Sequence, residues 1–247
     1  MATINGLTPN DQVALEREVQ SRTRGCSVLE TAAQQYTDLL RERFPADVLL
    51  ARVFVTVPYG SAPVDVRVFV DQLAKKTGIS DRIRDDTLIL SLAGTSGKEP
   101  DWNDRRRSRG HAGIPLATAD FVDAIPMMSR LLRELGLGLD WIDARDTTII
   151  ARSLGSSSGV FYVREAVNET DTQGRKVIAA QDFVREHGVQ TVFGMGGAYM
   201  GTASFLVNIV FCKTLVERPR VEALMPLINR VKVSTVELAK AGRIFAS

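Results

Sequence analysis

The stretch Val48-Leu49-Leu50-Ala51-Arg52-Val53-Phe54-Val55-Thr56-Val57 decides how this chain folds. It is apolar at every position except Arg52 and Thr56, it is short, and it is rich in β-branched residues. A run of that kind predicts a central strand covered on both faces. Upstream, Ser27-Val28-Leu29-Glu30 has the spacing of a capping box. Val28, Leu29, Ala32, Ala33, Tyr36, Leu39 and Leu40 then fall on one stripe at helical spacing, and Pro45 ends the helix. Further upstream, Thr8-Pro9-Asn10-Asp11 reads as a helix start, with Thr8 as N-cap, Pro9 in the first turn and Asp11 near the positive helix end.

Downstream, Val64 to Lys76 is helical and stops at Gly78. Thr87 to Ala93 reads as a second buried strand, which Gly94-Thr95-Ser96-Gly97 turns out into a long polar loop reaching about Gly113. Thr118 or Asp120 caps a helix through Phe121, Ile125, Met128, Leu131, Leu132 and Leu135, with a kink expected at Pro126 and a stop at Gly136 and Gly138. Thr147–Ala151 and Val160–Val163 read as strands joined through Gly155–Gly159, and Gln181–Glu186 as a short helical segment. Val189–Phe193, the glycine-rich Gly194–Gly201 and Ser204–Cys212 read as strand, turn and strand. A closing helix runs from Pro219 or Pro226 to Lys240. The expected division is a helical lead-in over 1–26 and one α+β domain over 27–247.

The 247 residues are 45% hydrophobic and 24% charged, an ordinary globular composition. With 31 basic and 29 acidic side chains the net charge is +2, too near balance to argue for a nucleic-acid or membrane surface. Cys26 and Cys212 form no disulfide framework or metal spacing, which suits a reducing cytoplasm. Met1 to Asn10 carries no signal-peptide pattern, and the longest apolar run, Phe205–Cys212, is too short for a membrane span. A cytoplasmic domain without membrane insertion is the expectation.

Several motifs fail on inspection. Gly194-Met195-Gly196-Gly197-Ala198-Tyr199-Met200-Gly201 lacks the third glycine of a dinucleotide loop, which would fall at Tyr199, and leads into a strand rather than a helix. Gly94 to Lys98 misses the phosphate-loop pattern. Gly155-Ser156-Ser157-Ser158-Gly159 matches a nucleophile elbow literally, yet it too leads into a strand. The two histidines, His111 and His187, belong to no metal spacing, although either could ligate a haem iron. The cofactor expectation is haem or none.

The chemically dense stretch is Glu99 to His111. Arg105, Arg106, Arg107 and Arg109 offer planar donor forks for a carboxylate or phosphate, and Trp102 could cover a planar ligand. Ser96, Trp102, Asn103, Arg105, Arg107, Arg109 and His111 are the candidate ligand contacts, with residues 95–113 acting as a lid. Pairing of the arginines with Glu99, Asp101 and Asp104 in a solvated loop is the plain alternative, and an enzyme using His111 with Asp101 or Asp104 is another. Four arginines beside three acids make too narrow a basic field for nucleic acid. In the closing helix, Val221, Leu224, Ile228, Val231, Thr235 and Leu238 form a coiled-coil-like seam. Met225, Leu227, Val233 and Val236 add a second apolar face, so a homodimer through this helix is expected beside packing on the chain's own sheet.

The order of these elements, with Gly113-Ile114-Pro115-Leu116 after the loop and Val163-Arg164-Glu165-Ala166 at a strand end, resembles a GAF-type (GAF/PAS-like) sensor domain. Glu165 stands where that family carries an Asp, and the helix carrying Ile125 to Leu135 and the stretch from Gly138 to Arg152 lengthen the middle. The resemblance covers most of residues 27–240. It implies a central antiparallel sheet with flanking helices, a small-molecule pocket over one face and dimerisation through long terminal helices. It also implies an output domain or a partner such as a histidine kinase. The functional expectation is a small-molecule or cofactor-binding sensory domain of a signalling protein, transmitting through its terminal helices. The alternatives are a haem-binding sensor, an enzyme acting on a small anionic substrate through the arginine-rich loop, and an interaction scaffold.

Overall fold

The computed structural model describes residues 2–108, 110–143, 158–200, 202 and 204–246. In chain order its elements are α1 (Pro9–Thr23), α2 (Leu29–Arg43), β1 (Val48–Pro58), α3 (Val64–Thr77), β2 (Leu88–Gly97) and β3 (Gly113–Pro115). There follow α4 (Ala119–Asp123), α5 (Pro126–Glu134), β4 (Ser158–Val163), α6 (Gln181–Glu186), β5 (Thr191–Ala198), β6 (Phe205–Cys212), α7 (Arg218–Glu222) and α8 (Met225–Lys240). The six strands form one sheet in the order β3-β2-β1-β6-β5-β4, and every neighbouring pair is antiparallel. The architecture is α+β, a central antiparallel sheet with flanking helices.

β1 lies between β2 and β6, as its apolar run requires. Its side chains alternate between two cores. Ala51, Val53, Val55 and Val57 meet Leu15, Val19, Tyr36, Leu39, Ile228 and Val231, which come from α1, α2 and α8. Phe54 faces the other way and joins Val122, Met128, Leu131 and Leu132 of α4 and α5.

Helix starts divide into those written locally and those supplied from afar. Thr8 and Asp11 form the expected capping box on α1, the Asp11 N–H donating to Thr8 Oγ1 at 3.2 Å and the Thr8 N–H to Asp11 Oδ2 at 3.0 Å. The box expected at Ser27 does not form. α2 begins at Leu29 instead, and its first amides donate to the carbonyls of Arg243 (3.0 Å) and Ile244 (2.8 Å). The C-terminal segment therefore performs the cap, satisfying amides that a helix N-terminus leaves open. Pro126 does not kink one helix. It opens a second one, α5, where the missing N–H costs nothing.

Two glycine-rich stretches expected as turns lie inside strands. β2 runs on through Gly94 to Gly97 because α2 packs directly on it: a Cβ on Gly94 would lie 2.5 Å from the Ala33 carbonyl carbon. Just beyond, Gln34 clasps the strand, accepting from the Thr95 N–H at 3.1 Å and donating to its carbonyl at 2.9 Å. Gly194–Gly197 belong to β5, where a Cβ on Gly196 would overlap the Leu206 carbonyl oxygen of β6. The expected strand Thr147–Ala151 and the serines Ser156 and Ser157 lie outside the described residues.

The apolar seam of the closing helix meets a helical partner, but within the same chain. Val221, Leu224, Ile228, Val231, Thr235 and Leu238 are all buried, the first four in a core shared with α1 and α2. The Thr235 hydroxyl also pairs with Tyr199 at 2.7 Å. On the second face Leu227 is buried and Met225 and Val236 are half-buried, which leaves Val233 as the one exposed large apolar side chain of α8. The seam that suggested a dimer is thus occupied by the N-terminal helices, whose own apolar stripe needed cover.

Gly94→Ala should force α2 away from β2 and lower the unfolding free energy by about 2 kcal/mol, the usual cost of overpacking a closed core. Urea denaturation with an unchanged m-value would register the shift; wild-type stability would mean that α2 is not seated on β2 as described.

Candidate functional site

Leu50 and Arg52 share the face of β1 that carries Phe54. α5 covers the sheet over Phe54, yet over Leu50 and Arg52 the sheet floors an open cleft of about 840 Å³. One part of the wall is the loop carrying Trp102, Arg107 and His111, and the adjoining part is the segment Val177–His187 with α6. Ile125, Pro126 and Met127 close the end beside α5. A further chamber of about 30 Å³ lies beyond Arg52 and His111, lined by apolar groups such as Phe54, Leu90, Leu131 and Ile209.

An aromatic corner occupies one side. The rings of Trp102 and His187 meet edge-on at 4.9 Å, Phe183 lies 5.6 Å from Trp102 and 5.0 Å from His187, and Phe211 of β6 meets Phe183 at 5.6 Å. These separations suit edge-to-face association, in which rings brace one another and keep a surface for a further planar group. Phe183 and His187 come together because four residues along a helix return to the same side.

Arg52 is the unusual group. Nη1 donates to the Gly110 carbonyl at 3.0 Å and Nη2 to Ser108 Oγ at 3.1 Å, both neutral acceptors. Its Nε is buried and, among the described residues, has no partner. No described carboxylate lies within ion-pairing distance of the guanidinium. Burial pulls its pKa down to about 10, which leaves it a cation at neutral pH.

His111 follows in the same loop with φ at 53°, the only non-glycine residue with positive φ among those described. That strain sits where the chain turns back to the sheet, the next carbonyl, of Ala112, accepting from the Leu92 N–H at 2.9 Å. The imidazole is exposed, but its exposed surface lines the cleft. Desolvation there, and secondarily the charge of Arg52, hold its pKa below the ordinary imidazole value.

The candidate contacts separate cleanly. Trp102, Arg107 and His111 line the cleft. Ser96, Asn103 and Arg105 do not. Asn103 is a loop staple, accepting from the Gly97 N–H at 2.8 Å and from Ser96 Oγ at 3.3 Å and donating to the carbonyls of Glu99 and Pro100. Arg105 is 6% exposed and turned inward. Its Nε donates to Glu30 at 2.6 Å and its Nη1 to Asp65 at 2.8 Å, while the guanidinium lies 4.8 Å from the ring centre of Phe245. Arg109 lies outside the described residues. Glu165, at the strand end that resembles the family's Asp position, is exposed and accepts from Asn168 Nδ2.

The acids named as partners for an enzyme are engaged elsewhere. Asp104 caps the turn at Arg106, and Asp101 pairs with Arg107 at 3.5 Å. Among the described residues the His111 side chain has no hydrogen-bond partner, and no cluster of three or more metal-ligating side chains occurs. No helix of those residues is long and apolar enough to cross a membrane. Both of the chain's histidines line the cleft, a convergence that the linear distance between them hides.

No protein-family model matches the chain, and no curated protein matches it. Solved structures do. The chain is similar to the phycoerythrobilin-bound GAF domain from a cyanobacterial phytochrome, at 12% identity and a TM-score of 0.49 over 93% of this chain and 97% of that one. It is similar to a phycocyanobilin-bound GAF domain from a cyanobacterial phytochrome, at 11% identity and 0.49 over 93% and 96%. The chromophore-binding domain of bacteriophytochrome RpBphP3 from R. palustris follows at 10% and 0.46, over 94% of this chain and 64% of that one.

His111 should titrate by NMR below the ordinary imidazole value, and Arg52→Met should raise its midpoint part of the way, since burial, the larger cause, remains. The unfolded chain binds the proton that folded His111 declines. Its contribution therefore makes stability fall as pH drops below the ordinary imidazole pKa and leaves it flat above. A wild-type midpoint at or above the ordinary value would contradict the desolvated setting beside Arg52.

Proposed function

We propose that this chain is a ligand-binding sensory domain of a signalling protein. It takes a small, at least partly planar molecule in the cleft and reports occupancy through its terminal segments. The observation that carries the reading is the cleft itself: about 840 Å³ floored by the central strands, with an aromatic corner along one wall. That volume is in the range of dedicated small-molecule sites, and the mix of an apolar body with a few convergent polar groups is their usual composition.

The transmitting element is the loop that carries Trp102, Arg107 and His111. Within it Arg105 reaches away from the cleft to Glu30, whose Oε2 accepts from the Ala246 N–H at 2.8 Å, and to the ring of Phe245. One residue thus joins the wall of the cleft to the start of α2 and to the segment after α8. An output unit, whether a histidine kinase or another, would be addressed at this end. The two similar GAF domains named above are bilin-bound. Here the cleft argues for a class, a conjugated or aromatic body, and the two histidines bring haem into that class as a second reading.

Protein isolated without dialysis is expected to carry a non-covalent small molecule by native mass spectrometry, and Phe183→Glu to have lost it. An absorption spectrum of the same sample separates haem, flavin, bilin and colourless ligands. Bare protein mass throughout, with a featureless spectrum, would remove the sensory reading. Arg105→Met should cost about 3 kcal/mol, because it removes the close, buried partner of Glu30 and leaves it only the more distant, exposed Arg106 at 3.6 Å as a counter-charge. It should also abolish any response of amide exchange at Arg243–Ala246 to occupancy, while exchange in the loop itself still responds.

A further inference from the structure

We propose that the cleft selects a ligand bearing one carboxylate, seated on Arg52, with its uncharged aromatic body against Trp102 and Phe183. The inference rests on the ligand-cleft reading above and names the chemistry of what enters.

Arg52 sits in the middle of a central strand, so its position is fixed by the sheet. A guanidinium has five N–H donors; one goes to Gly110, one to Ser108 and, among the described residues, the buried Nε has none. A structural role alone, holding the loop by two neutral acceptors, would be met by an uncharged amide without the cost of burying a cation. That cost is several kcal/mol, and it is recovered only when an anion pairs with the charge. The planar fork of arginine matches a carboxylate in two parallel hydrogen bonds.

The rest of the charge around the cleft limits that anion. Glu99, Asp101 and Glu186 line it together with Arg107, which is paired with Asp101. Among the described residues, once Asp101 is paired with Arg107, Glu99 and Glu186 remain to repel a second negative charge near the mouth, which argues against phosphates and dicarboxylates. Desolvation in the cleft and the charge of Arg52 both disfavour the protonated form of His111, which weakens it as a competing cation beside Arg52. Beyond Arg52 the chamber of about 30 Å³ is too small for a ring, so the ligand's body lies toward the aromatic corner.

The probes are naphthoate and its uncharged analogue naphthalenemethanol, titrated into the full chain and into Arg52→Gln and followed by calorimetry. Wild-type protein is expected to prefer naphthoate by about tenfold or more, the usual worth of a hydrogen bond to a charged group. Arg52→Gln should erase that preference and leave the affinity for the alcohol unchanged. A readout needing no variant is His111: naphthoate, by neutralising Arg52, should raise its NMR midpoint, and the alcohol should not. Equal binding of the two probes by wild-type protein, or a preference that survives Arg52→Gln, overturns the carboxylate inference and leaves the cleft reading standing. Binding of neither probe overturns both.

Discussion

Everything on the open face of the sheet follows from one constraint: a cation occupies the middle of the central strand. β1 has to be covered on both faces, because apolar side chains of this central strand point to each of them. Over Val53 and Val55 that cover is complete, with α2 close enough that Gly94 on the neighbouring strand has no room for a side chain. Over Arg52 the same closure would bury a guanidinium beneath an apolar helix with no carboxylate to meet it, which costs more than a few leucines return. α5 therefore covers Phe54 and stops, and the sheet beside it is roofed by polar loop instead. The cleft is the space that a charged residue keeps a helix from filling.

Two arginines then give the loop its shape by opposite means. Arg105 goes inward to two carboxylates and an aromatic ring, and so anchors the loop to α2, α3 and the C-terminal segment. Arg52 comes up from the sheet and holds the far end of the same loop through Ser108 and the Gly110 carbonyl. Between these fixed points stand Arg107 and, one residue past the second, His111 in its strained conformation. The first arginine is fully matched by charge; the second is met only by neutral acceptors. A loop pinned tightly at a charge-compensated site and loosely at an uncompensated one has an obvious place to respond.

Much of the fold was legible because its signals are local. The apolar run of β1, the helical stripe of α2, the Thr8 capping box and the stop at Gly78 each occupy a few consecutive residues, and all of these appear in the structure. What was not legible depended on distant partners. The cap of α2 comes from Arg243 and Ile244, and the seam of α8 is closed by α1, more than two hundred residues earlier in sequence for the Arg230–Glu16 pair. Glycines that look like turns become strand residues only once the neighbouring backbone is known to lie against them. Local pattern sets which face is apolar; it does not say what will cover it.

The site divides along the same line. The loop drew notice through its density of arginines, yet density could not tell Arg105, which holds the domain together, from Arg107, which faces the cleft. Phe183, His187 and Phe211 carry no motif and meet Trp102 only in three dimensions. Arg52 is different, because its signal stood in the opening run of the sequence as one of two interruptions in an otherwise apolar strand. A buried polar residue in such a place must find a partner, whereas an exposed one has water. The interruption of the apolar run was therefore the better guide to the site than the charged loop, since a strand tolerates a lone cation at its centre only where something other than the core is meant to meet it.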